Sequence, residues 1–173
     1  MILKIIGSVV ILLASTFLGY TFSRDCGRRP QELRSMQSML KMFQNEISFL
    51  SNILSEAFEK IYRSSSSASA SFFKGTIDIL RENRSLTASE AWELAVKENI
   101  GKTSLNKEDG EIVISFGKML GSSDLEGQLK NIEMTLNQLH VQEQKAEEKR
   151  NKYETMYRTL GVLGGLTLVI ILI

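Results

Sequence analysis

Two uncharged apolar runs, one near each end, limit what this chain can fold into. Residues 5–22 read IIGSVVILLASTFLGYTF, without a charge in eighteen positions. As a helix rising ~1.5 Å per residue, the run is roughly 27 Å long, close to the ~30 Å hydrocarbon core of a bilayer. Residues 160–173 read LGVLGGLTLVIILI. These fourteen reach only roughly 21 Å, which Met156 and Tyr157 or local bilayer thinning would extend toward a span. A cleaved signal peptide would carry a shorter apolar stretch and a small-x-small cleavage site, which the residues after Leu18 lack. Basic residues flank both runs on their inner sides. Arg24, Arg28, Arg29 and Arg34 follow the first, and Lys149, Arg150, Lys152 and Arg158 precede the second. The positive-inside bias then places the middle of the chain in the cytoplasm and both termini outside. Each such cation near an anionic leaflet adds about 1 kcal/mol of attraction.

The expected organisation is an N-terminal transmembrane anchor at 1–23, a cytoplasmic helical bundle at 24–159 and a short C-terminal membrane segment at 160–173. Ser15 with Gly19, and Gly161 with Gly165, have the small-xxx-small spacing that lets helix backbones approach in lipid. These four are the expected packing positions within the membrane.

The middle reads as helix throughout. The only proline, Pro30, suits the first turn of a helix and disfavours helix at Arg29, with Glu32 placed for the helix dipole. Leu33, Met36, Leu40, Phe43, Ile47 and Leu50 step by 3 and 4, a heptad seam. Ser51-Asn52 interrupts before a second apolar stripe of Ile53, Leu54, Ala57, Phe58 and Ile61. Residues 64–71 (SSSSASAS) read as a flexible low-complexity loop. Phe72, Phe73, Ile77 and Leu80 predict a third helix ending near Asn83. Thr87 with Glu90 has capping-box spacing for a fourth that buries Ala91, Trp92, Ala95 and Val96. Asn106 opens a fifth with Ile112, Val113, Phe116 and Leu120 on one face, Gly110 inside it at some cost, and Gly121 closing it. Leu125, Leu129, Ile132, Leu136 and Leu139 predict a last helix whose first two heptads enter the core. Its later part, 142–154, reads as a solvated stalk leading to the C-terminal run. An all-α antiparallel bundle of about six helices follows, flanked by the two membrane segments.

The composition argues against several chemistries. With 21 Lys+Arg against 20 Asp+Glu, the formal net charge is +1, far from the basic excess that phosphate binding requires. One cysteine, Cys26, makes no internal disulfide and no multi-thiolate metal site, and Arg24 and Asp25 before it are unlike a lipoprotein acceptor. The lone histidine, His140, reads as a helix-surface residue. Glu147 and Glu148 are adjacent, so on a helix they point apart and share no site. No phosphate loop or nucleophile motif occurs. The expectation is a protein without catalysis, cofactor, metal, nucleic acid or small-molecule substrate. Trp92 reads as the core anchor of its helix, with a partner hot spot as the competing role.

Several motifs in order carry a resemblance over the whole chain. They are the N-terminal anchor, Arg29-Pro30 with Leu33-Arg34, Ala91-Trp92-Glu93, Phe116-Gly117 with Leu120-Gly121 and Asp124, and Leu160-Gly161 opening the apolar end. Together they resemble the stage III sporulation protein AB family of endospore-forming Firmicutes. The chain departs from that pattern at Ser51-Asn52, where a proline-containing turn is often seen, and in its long serine run. The resemblance implies a fold like the cytoplasmic helical domain of the inner-membrane platform protein of type II secretion systems. It further implies a place in the mother-cell membrane around the forespore, within a secretion-like channel. The implied partners are a secretion-type ATPase and other stage III sporulation channel proteins. Counting helices down and back puts the expected docking surface at the membrane-distal end, near Leu50, Ser51, Asn52, Lys102, Thr103 and Ser104. From the residues alone, two readings stay open beside this one: a generic double-anchored membrane adaptor unrelated to sporulation, and a secreted helical protein with a tail anchor.

Overall fold

Pro30 sits in the first turn of α1 (Arg28–Phe49), where the leading N–H groups have no acceptor within the helix and a missing one costs nothing. The helix begins two residues before the proline, so Arg29 is helical against the expectation. The bias against helix before proline is offset by the ion pair that Arg29 makes with Asp109. The structure, a computed structural model, describes residues 27–49, 54–121 and 124–172. The run 5–22, Ser51-Asn52 and Leu50 lie outside these.

Five further α-helices follow among the described residues: α2 (Leu54–Ser64), α3 (Ala70–Glu82), α4 (Ala88–Asn99), α5 (Lys107–Gly117) and α6 (Leu125–Leu172), with a 3₁₀ turn at Ile100–Lys102. No strand occurs among them. The expected all-helical class and helix number hold. Among the described residues, no helix is long and apolar enough to cross a membrane.

The chain divides into two units, and the bundle is Arg29–Gln144. Its centre is Trp92 on α4, wholly buried. Phe58 of α2, Phe73 of α3 and Phe116 of α5 stand 5.1–5.5 Å from it, centroid to centroid, and Phe72 stands 6.5 Å away. Phe43 of α1 meets Phe58 and Phe116 edge-on. Edge-to-face pairs of this kind contribute about 0.5–1.5 kcal/mol each beyond area burial. The indole Nε1 donates to the Val113 carbonyl at 2.7 Å, so the buried donor is satisfied. Trp92 is therefore the core anchor, and it is not available as a partner hot spot.

The α1 seam from Leu33 to Ile47 is buried as its spacing requires, but Met39 and Glu46 are buried too. A face that broad belongs to a helix packed on several sides rather than to a two-stranded coiled-coil seam. Glu46 is paired there with Lys60 of α2. Both capping boxes form. Thr87 and Glu90 cap α4, as the spacing predicts, and Asn106 and Asp109 cap α5. Helix α5 ends at Gly117, before the expected stop, and Gly121 lies in the turns beyond it with a φ of 75°, a left-handed conformation suited to glycine.

Helix α6 departs most from the expectation. Asp124 caps it by accepting the Gly127 N–H at 2.9 Å. Leu125, expected in the core, is 49% exposed. The buried face keeps Ile132 and Leu139, as expected, and adds Thr135 and Gln142, with Asn131 beside it. The polar members are tolerated because each is satisfied: Asn131 Nδ2 donates to the Phe116 carbonyl at the end of α5, and Thr135 Oγ1 donates to the Asn131 carbonyl. Residues 142 and 143, expected in the stalk, belong to the bundle: Gln142 is buried and Glu143 is bonded to α1. In the second unit, Arg150 pairs with Glu147 at 3.0 Å and with Glu154 at 3.5 Å along the helix.

Candidate functional site

The first three turns of α1 carry a row of polar side chains that reach α5, α6 and the serine loop. Arg29 donates from Nε and one terminal nitrogen to the two carboxylate oxygens of Asp109 on α5, both at 2.8 Å, and reaches Gln142 Oε1 on α6 at 3.1 Å. Asp109 is fully buried, while the Arg29 side chain is 18% exposed. The Asp109 bond raises the pKa of Arg29 further, against the opposing effect of burial. Arg29 thus joins α1 to both α5 and α6, and Asp109 also accepts the Asn106 N–H in the capping box of its own helix. Fork-to-fork geometry gives such a pair directional strength that a lysine could not match.

Arg34 Nε and Gln37 Nε2, one turn further on, donate to the two oxygens of Glu143 on α6, at 2.6 and 2.8 Å. Burial pushes the Glu143 carboxyl up, but the Gln37 and Arg34 bonds outweigh it and hold it below the usual glutamate range. Glu32 Oε1, in turn, accepts from Ser67 Oγ at 2.5 Å, from the Ser69 N–H at 2.8 Å and from Ser69 Oγ. The serine run, expected to be a flexible loop, is therefore tied to α1, and Ser69 is wholly buried. Glu32, expected to act on the helix dipole, does this instead.

The residues singled out from the sequence fall in different places. Of the basic set, Arg29, Arg34 and Arg150 are held by carboxylates of the chain itself. Arg28, Lys149 and Lys152 are exposed. Arg24, the Arg158 side chain, Ser15 and Gly19 lie outside what is described, while Gly161 and Gly165 are residues of α6. Of the docking set, Lys102 is exposed at the end of the 3₁₀ turn, where its Nζ donates to Asn99 Oδ1 at 2.8 Å. Thr103 closes that turn through its N–H and hydroxyl to the Ile100 carbonyl, and Ser104 is half-buried. His140 is an exposed helix residue 3.5 Å from Glu143.

The α1 ties escaped sequence reading because they link residues 80 to 113 positions apart in one case and 35 to 37 in the other. Helical periodicity carries no signal at such separations. Chemically, these groups fasten helices together: Arg29 and Arg34 are opposed by carboxylates, and both oxygens of Asp109 and of Glu143 are occupied by donors.

Comparison with known proteins agrees with the fold and, for the sequence matches, extends over nearly all of the residues. The family model for stage III sporulation protein AB matches residues 4–173. A relative from Bacillus subtilis (strain 168), stage III sporulation protein AB, is 31% identical over 170 residues, which is 98% of this chain and 99% of the relative. A solved structure of a stage III sporulation protein AB is similar with a TM-score of 0.67 at 28% identity, across 72% of this chain and 98% of that one. On the shared helical fold and this near-complete correspondence of sequence, the chain belongs to the stage III sporulation protein AB family.

Proposed function

We propose that this chain, with the role in sporulation that its family implies, is a non-enzymatic membrane scaffold of the channel between mother cell and forespore. In this reading 1–23 and 160–173 enter the mother-cell membrane that surrounds the forespore, and 24–159 face the cytoplasm. Its partners are other stage III sporulation proteins and a secretion-type ATPase, whose action the bundle carries to the membrane complex. Arg24, Arg28, Lys149, Lys152 and Arg158 sit against the anionic leaflet, and the pairs Ser15/Gly19 and Gly161/Gly165 pack the anchors. Lys102, Thr103 and Ser104, with Leu50, Ser51 and Asn52, form the docking surface.

One observation supports this most. The helix that follows the N-terminal apolar run and the helix that continues into the C-terminal one are bonded to each other and to α5 through Arg29, Arg34, Asp109, Gln142 and Glu143. A load placed on the bundle therefore passes to both apolar ends through charge-assisted bonds rather than through loops. The test is crosslinking and co-purification from sporulating cells. A secretion-type ATPase recovered with the intact chain, and lost when Lys102 and Ser104 are replaced by glutamate, is the expected result. Unchanged recovery from that variant overturns the docking assignment, and no recovery with the intact chain overturns the scaffold reading.

A further inference from the structure

Between the serine loop and the 3₁₀ turn lies a shallow depression of about 550 Å³, lined by Tyr62, Arg63, Lys102 and four serines of 65–71. None of its nine lining residues is acidic. The two cations keep donors to spare. Arg63 spends Nε on Glu59 at 3.0 Å, and Lys102 makes one bond, to Asn99. A guanidinium has five N–H donors and an ammonium three. Ser65 uses its oxygen to accept the Ser67 N–H, which leaves its proton for an incoming acceptor. The end of α2 and the start of α3 meet here, so their opposed dipoles offset and the side chains set the charge preference. The loop is already fixed by Glu32, which removes part of the ordering cost of binding.

A second depression, of about 350 Å³, shares Tyr62 and Ser71 with the first and is lined by Asp78, Glu82 and Glu98. Lys74 in it is paired with Asp78. The same face is therefore basic at one end and acidic at the other. A broad anionic surface, such as a lipid leaflet, would meet repulsion as soon as it covered both ends. A short segment would not.

We infer that the depression between the serine loop and the 3₁₀ turn binds a short acidic segment of a protein partner, with Arg63 and Lys102 as the paired cations. This rests on the scaffold reading, and it extends the docking surface from Lys102 to Arg63 and the serine loop. The test uses the full chain in detergent micelles and a fluorescein-labelled peptide with four consecutive glutamates, followed by anisotropy. The intact chain is expected to bind. The double variant Arg63→Glu/Lys102→Glu should weaken binding at least tenfold, and the control Lys107→Glu/Lys130→Glu, with the same charge change at exposed positions elsewhere, should alter it less than twofold. The inference is overturned if the peptide does not bind, if the control loses as much as the double variant, or if only phosphatidylglycerol vesicles are bound and lost. Recovery of the ATPase in the co-purification above would leave the scaffold reading standing in each of those cases.

Discussion

Replacing Gly117 with alanine tests the packing of the core at its tightest point. A Cβ at that position would stand 2.1 Å from Trp92 Cδ1 and 2.7 Å from Cγ, where ordinary contact begins at 3.4 Å. The ring cannot retreat, because it is wholly buried among phenylalanines and its Nε1 is bonded to Val113 on the same helix as Gly117. Helix α5 must therefore move away from α4 by about 1 Å, at about 1–3 kcal/mol for overpacking. Stretching the indole bond adds about 1 kcal/mol, and the better helix propensity of alanine returns about 0.5–1 kcal/mol. A net loss of about 2 kcal/mol follows, a fall in Tm of roughly 5 °C for a chain of this size. Urea unfolding of the full chain in micelles reads it directly, since Trp92 is the only tryptophan and its emission reports the core. Gly110→Ala is the internal comparison. Its Cβ would meet only the Cδ1 tip of half-buried Ile100 at 2.3 Å, a side chain free to rotate, so a change within about 1 kcal/mol is expected. A Gly117→Ala chain as stable as the original, or no worse than Gly110→Ala, refutes this account of the core.

Arg29→Ala leaves the Asp109 carboxylate buried without its countercharge, so a loss of about 3–5 kcal/mol is expected in the same unfolding assay; a loss under about 1 kcal/mol contradicts the keystone role. Glu32→Gln keeps the size of the side chain but weakens three bonds to the serine loop, and hydrogen exchange at Ser69 should quicken markedly while amides in α4 stay as slow as before. Glu143 titrates below the ordinary value of 4.5 because the Gln37 and Arg34 bonds outweigh the upward push of its burial. A carboxyl depressed in the folded state contributes stability that is present above its unfolded pKa and lost as pH falls through the folded one. Unfolding free energy should therefore decline below about pH 4.5, and Glu143→Gln should flatten that decline; an unchanged slope counts against the pairing.

Local signals in the sequence carried over well. The Thr87/Glu90 box, the stripe of Ala91, Trp92, Ala95 and Val96, and the stop at Asn83 all stand where their spacing places them. Each depends on neighbours within one or two turns, which periodicity records. Three features needed the third dimension. Asp109 carries no mark in the sequence beyond its place three residues after Asn106, and only the approach of α1 to α5 gives it Arg29. Gly110 reads as a weak point of a helix and Gly117 carries no packing signal, whereas Ile100 and Trp92 occupy the space a side chain would take. The leucine ladder of α6 begins one step too early: Leu125 stands exposed, while Asn131 is drawn inward by the carbonyl of Phe116. The serine loop misled for a related reason, since low complexity predicts mobility only where nothing supplies an acceptor, and Glu32 supplies one. For the candidate site, the exposed basic positions were legible as charge, but which arginines are matched by carboxylates was not.

Orientation at the membrane is the most direct test of the scaffold. Ser66 is exposed in the serine loop, and Cys26 is the only native thiol. In a Cys26→Ser background, a Ser66→Cys chain should react with a membrane-impermeant maleimide in inverted vesicles but not in intact cells, and should stay with the membrane after carbonate washing. Labelling from outside intact cells, or release of the chain by carbonate, would contradict a cytoplasmic bundle anchored by its ends.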